Sequence, residues 1–177
     1  MIISVEQIKQ LIAFPESWTD EKIERKLLAL EQTIRAYTNN NFQNRGIRMS
    51  ADIQDGVFSS DFPCEFVVGD TVQVSESRLN GGLYVVTVAD DFSFSVEEST
   101  RNELNVLCTR VEYPSDVVEC CINLMEWEVN MRGKVGIKSE TLSRHSVTYF
   151  DQDANNQIMG YPAALLGCLK PYRKARF

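Results

Sequence analysis

Hydrophobic residues fall at Val5, Ile8, Leu11 and Ile12, a spacing that predicts one face of a short helix ending before Pro15. Ser4 and Gln7 at its start have the spacing of a capping box. Thr19 is the next N-cap candidate, with Asp20 and Glu21 placed to favour the first turn. From there Ile23, Leu27, Leu30, Ile34 and Tyr37 step by four, three, four and three, with Leu28 widening the stripe. The pattern predicts the longest helix of the chain, from residue 19 to about 40, closed by Asn39-Asn40-Asn41. Fewer than three heptads point to the core face of a bundle and away from a long coiled coil.

After residue 44 the period changes. Phe66 to Val74 is β-branched and partly alternating, and Asn80-Gly81-Gly82 is a turn leading into Leu83 to Val88. Phe92 to Val96 and Asn105 to Val111 are further strand candidates. Several short strands joined by turns predict a small barrel or sandwich. Helical spacing returns at Pro114: Val117, Cys120, Cys121, Leu124, Trp127 and Met131 make one stripe, and Gly133 and Gly136 mark its end. Ser146 to Phe150 alternates as a strand does, and Tyr161 to Leu169 reads as a short helix started by Pro162 and stopped by Pro171, with Leu165, Leu166 and Leu169 on one side. The expected fold is α+β: a small antiparallel helical bundle of residues 1–44 plus 114–177, an inserted β-barrel or sandwich of residues 45–113, and an extended C-terminal arm ending in a short helix. Ile23, Leu27, Leu30, Ile34, Tyr37, Val117, Cys121, Leu124 and Trp127 are the expected helical core and subunit contacts. Trp18 and Trp127 flank helices and are read as core or interface residues, not as ligand platforms.

Charge sharpens this division. Residues 1–44, 45–113, 114–143 and 144–177 carry −1, −7, −2 and +3, within a net charge of −7 over 177 residues. Acid is concentrated in the middle and base at the end. A strongly acidic β segment argues against sequence-reading DNA binding, which depends on phosphate neutralisation. Five cysteines without a Cys-x-x-Cys spacing and a single histidine, His145, fit reduced thiols better than a disulfide framework or a zinc site. No run reaches the length needed to span a bilayer, and the first residues have no secretory pattern, so synthesis in the cytoplasm and no membrane partner are expected.

The chain's last third is apolar and basic at once. It holds Gly136-Ile137-Lys138-Ser139-Glu140 and Leu142, then Ser146-Val147-Thr148-Tyr149, then Tyr161-Pro162, Leu165-Leu166, Leu169, Tyr172-Arg173-Lys174 and Arg176-Phe177. This pattern resembles the carboxy-terminal signature of phage head-tail connector proteins of long-tailed double-stranded DNA phages. The resemblance covers roughly residues 1–44 and 114–177, with its strongest part at 139–177, and the insertion of 45–113 departs from the smaller members of that family. It implies a virion structural protein in the neck, forming an oligomeric ring, commonly of twelve copies, docked on the portal protein and meeting a downstream neck or tail protein. Double-stranded DNA would pass through the lumen without sequence-specific contacts. Tyr161, Pro162, Leu165, Leu166, Leu169, Tyr172, Arg173, Lys174, Arg176 and Phe177 are then the expected portal-docking residues. A tail-completion protein of the same region, or a nucleic-acid-binding module using the β insertion, are the alternatives.

Catalytic chemistry is not expected. A nucleophile, base and orienting group have no clear source beyond His145 and one of the cysteines. The acidic pairs Asp90-Asp91 and Glu97-Glu98, with Asp151 and Asp153, lack the calcium-loop pattern, and no Gly-rich phosphate loop is present. No metal or cofactor is therefore expected.

Overall fold

In the computed structural model, residues 1–134, 139–142, 145–148 and 156–175 are described. The chain divides into two compact units: residues 1–40 with 114–177, and the continuous segment 41–113. The fold is mixed helix and strand, and the second unit contains a closed six-stranded β-barrel.

The first unit opens with α1 (Val5–Leu11) and α2 (Asp20–Thr38). Ser4 and Gln7 form a reciprocal capping box, and the Thr19 hydroxyl accepts from the Lys22 N–H at 3.3 Å. α2 ends where Asn39 enters the left-handed region, with φ of 48°, a conformation Asn tolerates better than most residues. Ile23, Leu27, Leu30 and Ile34 are fully buried along α2, while Tyr37 is half-buried. Leu11 and Leu28 instead face solvent. α1 has two turns and packs through Ile8 alone, followed by Ile12 just beyond its end. Leu28 lies beside the stripe and not on it. α3 (Ser115–Asn130) packs against α2 and the arm, burying Val117, Cys120, Cys121, Leu124 and Met125, with Trp127 half-buried at its end. β7 (Ser139–Leu142) and β8 (His145–Thr148) pair antiparallel, so the strand expected at 146–150 begins one residue earlier, and Tyr149 and Phe150 lie outside the described residues.

The expected helix over Tyr161–Leu169 does not form. Tyr161–Pro162 is instead the short strand β10, paired with β9 (Gln157–Ile158), and a 3-10 helix follows over Gly167–Tyr172. Successive i→i+3 bonds run from the Leu165 N–H to the Pro162 carbonyl and from the Leu169 N–H to the Leu166 carbonyl. With three residues per turn, Leu166 and Leu169 eclipse each other and Leu165 turns away from them. Pro171 is inside this helix and does not end it; the Arg173 N–H to Lys170 carbonyl bond closes the last turn.

The second unit contains β1 (Gln43–Gln54), β2 (Val57–Ser59), β3 (Thr71–Ser75), β4 (Gly82–Ala89), β5 (Ser93–Val96) and β6 (Glu103–Val111), all antiparallel and closed in the order β1-β2-β5-β4-β3-β6. β1 and β2 have no counterpart in the sequence reading, and Phe66–Asp70, expected as strand, is a turn. Gly69 takes φ of 91° there, the left-handed geometry that a type II turn requires. Asp55 and Gly56 both have positive φ, as the two central residues of a type I′ hairpin turn do. Closure removes sheet edges. Met49, Ala51 and Ile53 of β1, Val72 and Val74 of β3, and Val106 and Cys108 of β6 alternate inward onto Phe58 and Phe94, whose rings stack at 4.6 Å. Phe66 meets Phe94 edge-on at 5.1 Å.

Candidate functional site

The arm that follows β8 is bound to its own unit at its start. Tyr161 is buried, donates its hydroxyl to Glu128 Oε1 at 2.6 Å, and meets the Trp127 ring edge-on at 5.4 Å. Glu128 on α3 is itself buried, and it also receives Lys26 Nζ at 2.9 Å and Arg132 at 3.4 Å. Burial and the bond to the Glu128 carboxylate hold the Tyr161 phenol well above its ordinary pKa, so it remains a donor. Arg132 lies over both the Trp127 and Tyr161 rings and donates to the Gly160 carbonyl at 3.0 Å. A buried acid within an apolar helical stripe thus fixes the start of the arm. Nothing in the helical periodicity marks Glu128 for that role, although its i+4 relation to Arg132 is visible in the sequence.

Leu166 and Leu169 are fully buried inside the same unit. Like Tyr161, they are among the residues expected to dock, and their apolar surface is covered by their own chain. Leu165 and Pro162 are half-buried. Tyr172 is half-buried and donates its hydroxyl to the Asp116 carboxylate at 2.7 Å, which raises its pKa. The Lys174 N–H donates to the Thr38 carbonyl at 2.8 Å, and Asn39 Nδ2 donates to the Ala175 carbonyl at 2.9 Å. The charges that face outward from this stretch are cationic: Lys170, Arg173 and Lys174 are exposed, with Arg173 over the Tyr37 ring at 5.2 Å. Arg176 and Phe177 lie outside the described residues.

The barrel offers a different surface at one end. Phe62, Val67, Val68 and Phe92 are exposed, Phe62 at 72%. Two tethers keep them outward. Phe66 is sunk in the barrel, and Asp70 ties the following turn by accepting from the Val67 N–H at 3.0 Å and pairing with Arg110 at 3.1 Å. Phe92 sits on the β4–β5 turn beside Asp90 and Asp91, where a turn has no intrinsic use for an aromatic residue. An open groove of about 750 Å³ runs between Val67-Val68 and Phe92, its wall completed by Cys64 and Asp91. Asp90 and Asp91 line the groove beside Phe92, so its apolar residues are edged by acid. Exposed apolar residues gathered along one groove are a usual mark of a protein contact.

Among the described residues, no group of three or more His, Cys, Asp or Glu side chains is placed to hold a metal ion; Asp151 and Asp153 lie outside them. No described helix is long and apolar enough to cross a membrane. Compared with known proteins, the chain matches no protein-family model and no curated sequence.

Proposed function

We propose that the protein is a structural component of a phage virion, a head-tail connector that docks as an oligomeric ring on the portal and offers a platform for the next neck or tail protein. In this reading α2 and α3 are the paired helices of a small antiparallel bundle, residues 156–175 form its arm, and the barrel is an added module. The observation that carries the reading is the residue pattern from Gly136 to Phe177, in which apolar, aromatic and basic positions follow the connector signature.

The burial of Tyr161, Leu166 and Leu169 narrows the docking face to Lys170, Arg173 and Lys174 with the half-buried Pro162, Leu165 and Tyr172. Such a face favours an acidic partner, and a ring repeats it in every copy, so a weak contact per subunit multiplies by avidity. The apolar, acid-edged groove of the barrel is assigned to the downstream neck or tail protein. A net acidic body suits DNA passing through without adhering.

The test is binding of purified protein to portal-bearing, tail-less heads. Lys170→Glu, Arg173→Glu and Lys174→Glu combined should weaken binding at least tenfold, and more steeply as salt is lowered, with an unchanged far-ultraviolet spectrum. Undiminished binding by the triple variant rejects the docking face. Electron microscopy of particles showing no density for the protein between portal and tail rejects the connector reading.

A further inference from the structure

Two thiols from different parts of the helical unit converge on one backbone carbonyl. Cys120 projects from the inner side of α3 and is buried, and its thiol donates to the Leu165 carbonyl at 3.3 Å. Cys168 stands exposed in the first turn of the 3-10 helix, and its thiol donates to the same oxygen at 3.4 Å. Both sulfurs therefore lie within 3.4 Å of the same oxygen. Cys121, the next residue on α3, is fully buried and has no such neighbour on the arm; its thiol is pushed up to about 12 by burial and by Glu31.

We propose that Cys120 and Cys168 form a reversible disulfide that staples the arm to α3, with a peroxide as oxidant. The difference in access between the two sulfurs sets the order of events. The Cys168 thiolate attacks the peroxide O–O bond, takes one oxygen to become a sulfenic acid, and releases the other as water once protonated. The Cys120 sulfur then bonds to the Cys168 sulfur and displaces hydroxide, which leaves as a second water with the Cys120 proton. Two thiols are oxidised by two electrons, and one peroxide is reduced to two waters. Burial holds the Cys120 thiol well above its ordinary pKa, so the exposed Cys168 reacts first, and Cys120 enters the second step through its position on the same carbonyl. The staple would fix Lys170, which follows Cys168 by two positions, and with it the outward cations of the arm. That consequence for docking rests on the portal reading; the bond itself does not.

The experiment treats the full chain with hydrogen peroxide, quenches it, and maps peptides without reduction. The expected result is a monomer lighter by two hydrogens, a Cys120–Cys168 linked peptide reversed by dithiothreitol, and a thermal midpoint raised by roughly 10 °C. Cys168→Ser, at an exposed site, should fold normally and show neither linkage nor gain. Cys168 ending as sulfinic acid, a disulfide-linked dimer through Cys168, or Cys120 recovered as a free thiol overturns the proposal. Binding of oxidised and reduced protein to portal-bearing heads separates the two claims: a staple that forms in a protein that binds no portal leaves the bond standing and removes the connector reading, whereas normal portal binding without a staple does the reverse.

Discussion

A single carboxylate organises one end of the barrel. Glu103, at the start of β6, accepts from the Ser77 hydroxyl and the Arg78 N–H at 2.6 Å each, from Asn80 Nδ2 at 2.8 Å and from the Leu79 N–H at 3.2 Å. These bonds, the Ser77 hydroxyl foremost, draw its pKa from 4.5 down to about 2. Because the folded value lies below the unfolded one, the stabilisation is complete above pH 4.5 and is lost as pH falls toward 2. Glu103→Gln should therefore be less stable than the native protein at pH 7, and the difference in urea midpoint should shrink steadily between pH 4.5 and 2. A gap that stays constant across this range would show that the loop of residues 77–80 is held by something other than the Glu103 charge. Asn80, itself buried, extends the cluster through paired bonds with the Arg101 backbone, so the loop is clamped from both sides.

At the scale of elements the arm gives the clearest contrast. Leu169 is fully enclosed and Lys170 beside it is exposed, so neighbouring substitutions should act on different properties. Leu169→Ala should cost about 3 kcal/mol of stability in urea unfolding, through lost transfer energy and the cavity it leaves. Lys170→Glu should stay within about 0.5 kcal/mol. A Leu169→Ala protein with native stability and a defect confined to partner binding would return Leu169 to the docking face. The same contrast shows what a sequence does and does not reveal. α2 is legible because its Thr19 and Asn39 caps agree with its stripe, and α3 through a stripe that holds over more than four turns. The tail was misread because nine residues between Gly160 and Lys170 admit either an α or a 3-10 winding, and tertiary packing of Leu166 and Leu169 decided between them. β1 was legible and missed: Ile47, Met49, Ala51 and Ile53 alternate and run into Asp55-Gly56, a strong hairpin signal, but small Ala51 and the polar outward residues blunt the apolar pattern. Phe66–Asp70 was misread because β-branched residues suggest strand even where Gly69 imposes a turn. Of the candidate surfaces, the cations of the arm can be read from composition. The apolar groove of the barrel cannot, because it joins Val67 and Val68 to Phe92 across a loop and a hairpin that only closure brings together.

The whole molecule is a chain in which one unit interrupts another, and strand pairing explains why that is tolerable. Gln43 and Val111 are antiparallel partners across β1 and β6, so the barrel's entry and exit strands lie about 5 Å apart. An insertion whose ends are adjacent places little demand on the connection it interrupts. Replacing residues 41–113 by a few glycines should then leave α2 and α3 close enough to pack, since their own contacts, including Lys26 to Glu128 at 2.9 Å, lie within the first unit. The shortened protein should unfold cooperatively, with the helical signal of α1–α3 retained. The isolated segment 41–113 should fold as well: its aromatic core of Phe58, Phe66 and Phe94 is its own, although a domain of this size is expected to be marginal. In the connector reading, the shortened protein should still bind portal-bearing heads while tails fail to attach, because the acid-edged apolar groove leaves with the barrel. Retained tail attachment would move the downstream contact to the helical unit. Loss of cooperative folding in both pieces would mean that the barrel is part of the protein's folding core and not an added module, whatever its ends suggest.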